Sequence, residues 1–207
     1  MGLASSFTTF TASVDTRTIY VSNSAGNDSN DGLSSGAPKK TIAAGVALMR
    51  NGYPDWLLLK CGDTWTNEVI TTNWLLSGRS SSEKMLIGTY GSGNRPLLLL
   101  TDKSGFRRQG GGAAPTTISH VAIVGLEFRE YNKTPADTST MISIIKQVND
   151  FLLEDVVTNG GGEGFLIQGE SNTVRHQDVV INRCMVVNAN STKTDPRTQG
   201  MYAAYTN

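Results

Sequence analysis

The sequence predicts an all-β solenoid, a chain of short strands stacked in repeating coils. Three observations carry that prediction. Gly (22 of 207 residues), Ser, Thr and Asn are abundant, while Lys and Glu, the usual surface residues of helices, are scarce. Beyond residue 55, short apolar runs alternate with Gly, Asn, Ser and Pro, and helical spacing fails in nearly all of them. The runs also recur in register, each unit too small to build a core of its own.

Taken in order, residues 18–22 (TIYVS) read as a strand and residues 23–36, rich in Ser, Asn, Asp and Gly, as a loop. A helix is expected over about 40–50. Thr41 can cap it, Ile42, Val46 and Met49 share one face at i, i+4 and i+7, and Asn51 with Gly52 ends it. The apolar runs that follow are 56–60, 69–70, 85–89, 96–100, 121–128, 141–145, 151–157, 164–168, 179–187 and 201–205. Laying 120–128 over 150–158 and 178–186 aligns Val121 with Phe151 and Val179, and Ile123 with Leu153 and Ile181. Past a polar corner, Leu126, Val156 and Cys184 align too, at offsets of 30 and 28 residues. A second set aligns 141–144 with 164–167 and 200–203, at offsets of 23 and 36. Aligned strands at unequal offsets imply a constant coil carrying loops of varying length. An immunoglobulin-like sandwich would give short strands without this register. The organisation expected is a flexible N-terminal segment (1–17), a strand, loop and capping helix (18–54), and coils over 55–207 that are incomplete at the C-terminus.

Composition removes several classes of function. Lys+Arg and Asp+Glu both number 18, and no basic stripe offsets the zero net charge, so nucleic acid is not an expected partner. The paired cations, Lys39 with Lys40 and Arg107 with Arg108, read as solvated loop residues. Apolar runs such as 97–100 fall far short of the ~20 residues of a membrane-spanning helix. Residues 1–17 show no cationic start followed by an apolar stretch, so no signal peptide is visible. Two cysteines, Cys61 and Cys184, make neither a disulfide framework nor a metal site.

Several segments carry a resemblance: YVSNSAGNDSNDG at 20–32, APKKTIAA at 37–44, DWLLLKCGDTW at 55–65 and YGSGNRP at 90–96. They resemble the N-terminal portion of proteins of the pectate-lyase-like superfamily. The resemblance implies a single-stranded right-handed parallel β-helix whose N-terminal end is plugged by a short capping helix. It implies carbohydrate (polysaccharide) binding or processing, polysaccharide lyase-like or glycosidase-like, and no particular reaction. The alternative is a phage tailspike or surface adhesive β-helix without catalysis in this segment, and a homotrimer or another chain covering an open C-terminal end. Either reading implies an extracellular or virion-associated setting. In such a fold Cys61 and Cys184 lie several coils apart, too far for a disulfide, with Cys184 pointing inward.

The chemistry is sought in a groove where outward side chains of successive coils stack. Ser143, Leu166 and Tyr202, then Ile145, Gln168 and Ala204, are the outward positions of the second aligned set. Glu163 and Glu170 are the acidic pair of that region and the candidate catalytic residues, since glycoside cleavage uses two carboxylates; the other reading is two solvated turn residues. Lys146, Gln168, Arg175 and Tyr202 are the expected substrate-binding residues. His176 could be a base beside Arg175 and Asp178, yet it precedes a strand and is assigned to the position of Asn149, a turn role; His120 is read as structural. No metal or other cofactor is expected, calcium at 28–32 being weakened by the wrong ligand spacing. The triple glycines at 110–112 and 160–162 read as corners, and Trp56 and Trp65 as interior residues. Any complete active site is expected mainly beyond residue 207.

Overall fold

The computed structural model describes residues 8–109, 117–131, 140–169, 175–189 and 199–204. Period-two alternation of apolar side chains, rich in Ile, Val, Leu and Phe, makes these segments strands with one face turned to a core. In chain order they are β1 (Thr18–Val21), the helix α1 (Ile42–Val46), β2 (Trp56–Lys60), β3 (Thr64–Thr66), β4 (Met85–Tyr90), β5 (Leu97–Leu100), β6 (Phe106–Arg108) and β7 (Ile118–Val124). There follow β8 (Glu127–Glu130), β9 (Thr140–Ile144), β10 (Val148–Glu154), β11 (Val157–Asn159), β12 (Glu163–Gln168), β13 (Gln177–Asn182), β14 (Met185–Val187) and β15 (Gln199–Ala204).

The pairing is parallel throughout and falls into three separate sheets. Sheet A has six strands in the order β1-β2-β4-β7-β10-β13, sheet B five as β14-β11-β8-β5-β3, and sheet C four as β15-β12-β9-β6. From β4 onward, consecutive strands go to A, B and C in turn. The expectation of a single-stranded right-handed parallel β-helix is therefore corrected to an all-β arrangement of three separate parallel sheets with almost no helix. The physical reason lies in the corners. Gly125, Asp155 and Arg183 hold left-handed φ of 77°, 54° and 51° at equivalent places and interrupt the ladder between sheets A and B. The next residues, Leu126, Val156 and Cys184, turn toward the core. Asp tolerates this backbone region better than most residues and Gly adopts it freely.

The aligned residues of the sequence pair as neighbours. Phe151 stands opposite Val121 and Val179, Leu153 opposite Ile123 and Ile181, and Phe165 opposite Ile142 and Met201. Apart from Met201, which is exposed, these side chains join Trp65, Leu98, Phe106 and Phe128 in one core. Residues 69–70 form no strand; only Thr71 bridges, to Phe106. Arg108 is also inward, completely buried in the column of Ile144 and Ile167, and its guanidinium donates to the Trp74 carbonyl at 3.2 Å. A solvated-loop role for it is thus wrong. Trp56 is likewise displaced, packing on the outer face of sheet A rather than inside.

At the N-terminal end α1 covers β1, shorter than the 40–50 span expected. Its cap is as expected, Thr41 accepting the Ala44 N–H at 3.2 Å. Asp28 accepts the N–H groups of Lys40 and Thr41 and the Thr41 hydroxyl, so its carboxylate organises this start. Beyond Ala47 the turn tightens, the Leu48 and Met49 N–H groups donating to the Gly45 and Val46 carbonyls three residues back, and Arg50 then meets Asp55. That fully buried carboxylate takes hydrogen bonds from the Arg50 guanidinium and from the Arg17 and Arg50 N–H groups. Burial raises the Asp55 pKa, but these hydrogen bonds outweigh it and hold the carboxyl below its ordinary value. The segment before β1 lies across sheet A: Phe10 packs on Leu86, Ala122 and Leu152, and Thr8 N–H donates to buried Glu154 at 3.1 Å. Cys61 and Cys184 are free thiols, and burial raises the pKa of Cys184. No helix is long and apolar enough to cross a membrane among the described residues.

Candidate functional site

A set of polar side chains with chemistry lies where strands of sheet A begin, next to the corner arriving from sheet C. Regular alternation would place every second residue inward. Instead Ile118 and Val121 both point inward, as do Val148 and Phe151. One extra residue in left-handed conformation intervenes each time: His120 (φ 60°), Asp150 (φ 52°) and, on β13, Asp178 (φ 50°). Such a bulge puts two successive side chains on the outer surface. Ser119–His120, Asn149–Asp150 and Gln177–Asp178 thus stack as outward pairs, and the register adds Lys84 before β4 to the His120, Asp150, Asp178 column.

Charge is distributed unevenly along that column. Asp150 is central: one carboxylate oxygen pairs with the Lys84 ammonium and the other meets His120 Nδ1 at 2.7 Å. Asp178 is exposed and has no hydrogen bond or ion pair among the described residues. A second thread runs along the corner. Thr117 Oγ1 donates to Gln147 Oε1 at 2.8 Å, and Gln147 Nε2 donates to the Arg175 carbonyl at 2.9 Å. These bonds fix the amide and tie three successive corners together.

The substrate-binding residues expected from the sequence divide around this corner. Lys146 and Arg175 sit on it, beside Gln147 and the column. Gln168 ends β12 opposite Ala204, and Tyr202, half-exposed, stands opposite Leu166 on the outer row of sheet C. Glu163 is elsewhere: it begins β12, five positions and about 16 Å from Gln168 at strand rise, and accepts the Thr140 hydroxyl at 2.9 Å. Glu170 and residues 110–112 lie outside the described residues. The 160–162 corner is formed as expected, Gly160 and Gly161 both holding positive φ, with Gly161 N–H donating to Glu130 at 2.7 Å.

His176 needs correction. Asn149 pairs with Gln177, so His176 stands opposite Val148, not Asn149. It is completely buried, and the Val148 N–H donates to its Nδ1 at 3.2 Å. No group of three or more His, Cys, Asp and Glu is placed to hold a metal among the described residues. Sequence reasoning passed over Lys84, His120, Asp150 and Asp178 as a set. The signal was there, because the alignment that matched Val121, Phe151 and Val179 also placed His120, Asp150 and Asp178 at the heads of three strands.

No protein-family model and no curated protein matches this sequence. Among solved structures, the chain is similar to the GH136 lacto-N-biosidase from Eubacterium ramulus. Its selenomethionine derivative superposes with a TM-score of 0.59 at 19% identity over 83% of this chain and 34% of that one. The native protein gives 0.56 at 20% identity over 82% and 34%. The likeness is one of fold. This chain spans about a third of the length of the proteins it matches.

Proposed function

We propose that this chain is part of a carbohydrate-processing, glycosidase-like protein, and that it meets sugar at the polar corner between sheets C and A. The observation that carries the reading is the outward column Lys84–His120–Asp150–Asp178. Donors and acceptors repeat along it at the ~4.8 Å strand spacing, presenting a rigid row to the hydroxyls of a sugar. The fold likeness to a lacto-N-biosidase supports the substrate class. Asp178 supplies an uncommitted carboxylate for hydroxyl groups. Asp150, held by Lys84 and His120, orients the imidazole through Nδ1 and leaves the other ring nitrogen toward substrate. Glu163, engaged by Thr140 at the far end of β12, has no part in this arrangement.

The test is calorimetric titration of the chain with neutral oligosaccharides, a lacto-N-biosidase substrate among them, and with uronate polymers. Binding of a neutral sugar is expected, weakened about tenfold or more by Asp178→Asn through loss of charge-assisted hydrogen bonds. Absence of binding to every sugar, or equal binding by the variant, overturns the reading. Product analysis of the same mixtures separates cleavage from recognition alone.

A further inference from the structure

We propose that His176 is an acid-sensitive latch on the corner that carries Lys146, Arg175 and Asp178. The geometry points to this from three sides. Ile118, Val148 and His176 form one inward column, all completely buried, so the imidazole occupies an apolar position. Its Nδ1 accepts the Val148 N–H, a bond joining two successive strands across 28 residues. In the neutral ring that role places the proton on Nε2, which has no hydrogen-bond partner among the described residues. A second proton must go to Nδ1. It then confronts the Val148 N–H, donor against donor, and leaves a buried cation.

Backbone carbonyls beside the ring favour that cation, but burial outweighs them. The ring faces the carbonyls of Ile144 on β9 and Gln168 on β12, and Val148 on β10. The nearest charged groups along the chain are Lys146 and Arg175, both cationic and on the corner, and Asp178, which points outward. Burial lowers the pKa of His176 below the ordinary histidine value. An unfolded or opened corner therefore takes up the proton first as pH falls. The closed corner keeps its full stability above about pH 6.5 and loses it progressively below, until the folded ring also titrates. The latch concerns the backbone of the corner and stands whether or not the corner binds sugar.

Amide hydrogen exchange of the whole chain at about pH 7.5 and about pH 5.5, corrected for intrinsic rates, tests it. Peptides over 144–150 and 175–182 are expected to lose about tenfold or more of their protection in acid, while the 56–60 peptide keeps its own. His176→Asn retains an acceptor in the place of Nδ1 and does not titrate, so its corner should be insensitive to pH. Unchanged protection in the native chain, or the same acid response in the variant, overturns the proposal. Should the variant not fold, nuclear magnetic resonance of the native chain decides. Titration of the His176 ring and of the Val148 amide with a common midpoint supports the latch, and independent midpoints refute it.

Discussion

His120, Asp150 and Asp178 show how a single backbone torsion decides what a residue can do. In regular alternation each would share the face of Ile118, Val148 or His176 and be buried. The left-handed φ at each one inserts a position and brings the polar group out. Gly78 enables the same arrangement from beneath, where a Cβ would lie 2.3 Å from the His120 carbonyl oxygen and 2.5 Å from the Met85 N. Both neighbours are backbone, so neither can swing aside. Gly78→Ala is expected to destabilise the chain by about 2–3 kcal/mol through overpacking, read from urea denaturation. An unchanged midpoint would mean that the loop before β4 yields more easily than its contacts suggest.

At the scale of the strand, register matters more than propensity. Leu153 is completely buried between Ile123 and Ile181, whereas Val180, on the neighbouring strand with opposite parity, is 51% exposed. Leu153→Ala should cost about 2–5 kcal/mol, the transfer loss plus an unfilled cavity. Val180→Ala should stay within about 0.5 kcal/mol, as an exposed surface change does. Comparable effects from the two substitutions in chemical denaturation would contradict the register. The same rule explains the misplacing of His176. A slip of one residue exchanges the faces of a strand, and opposite Asn149 the ring would be a turn residue, whereas opposite Val148 it is core. For α1 the expected cap and apolar face are present. The α-helix is short because its last turn tightens to bonds three residues back at Leu48 and Met49, before Arg50 engages Asp55.

Across the whole molecule, the three sheets share one core, and the outer face of sheet A carries a second, smaller apolar cluster. Leu86, Ala122 and Leu152 point away from the core and are buried because Phe10 and its segment lie over them. Phe10→Ala uncovers that strip and is expected to cost about 1–2 kcal/mol, less than complete burial of a phenylalanine provides. Thermal unfolding measures the loss, and increased binding of a hydrophobic dye should accompany it. No change in either would show that the cluster is covered without Phe10.

What residues 120–158 and 178–186 determined by themselves is local and periodic. Alternation of apolar side chains set the strands, and offsets of 30 and 28 residues set which of them pair, because parallel neighbours must match their buried positions. Tertiary structure alone decided how those strands divide into three sheets, since the corners at Gly125, Asp155 and Arg183 break a ladder that composition cannot show as broken. It also decided the surroundings of Arg108 and His176. Both are polar residues that sequence assigns to solvent, and both are buried because register with the one strand beside each, β9 and β10, turns them to the core. The candidate site lies between these two cases. Its residues head aligned strands and were in view, but their gathering into one outward column depends on torsions that only the folded chain fixes.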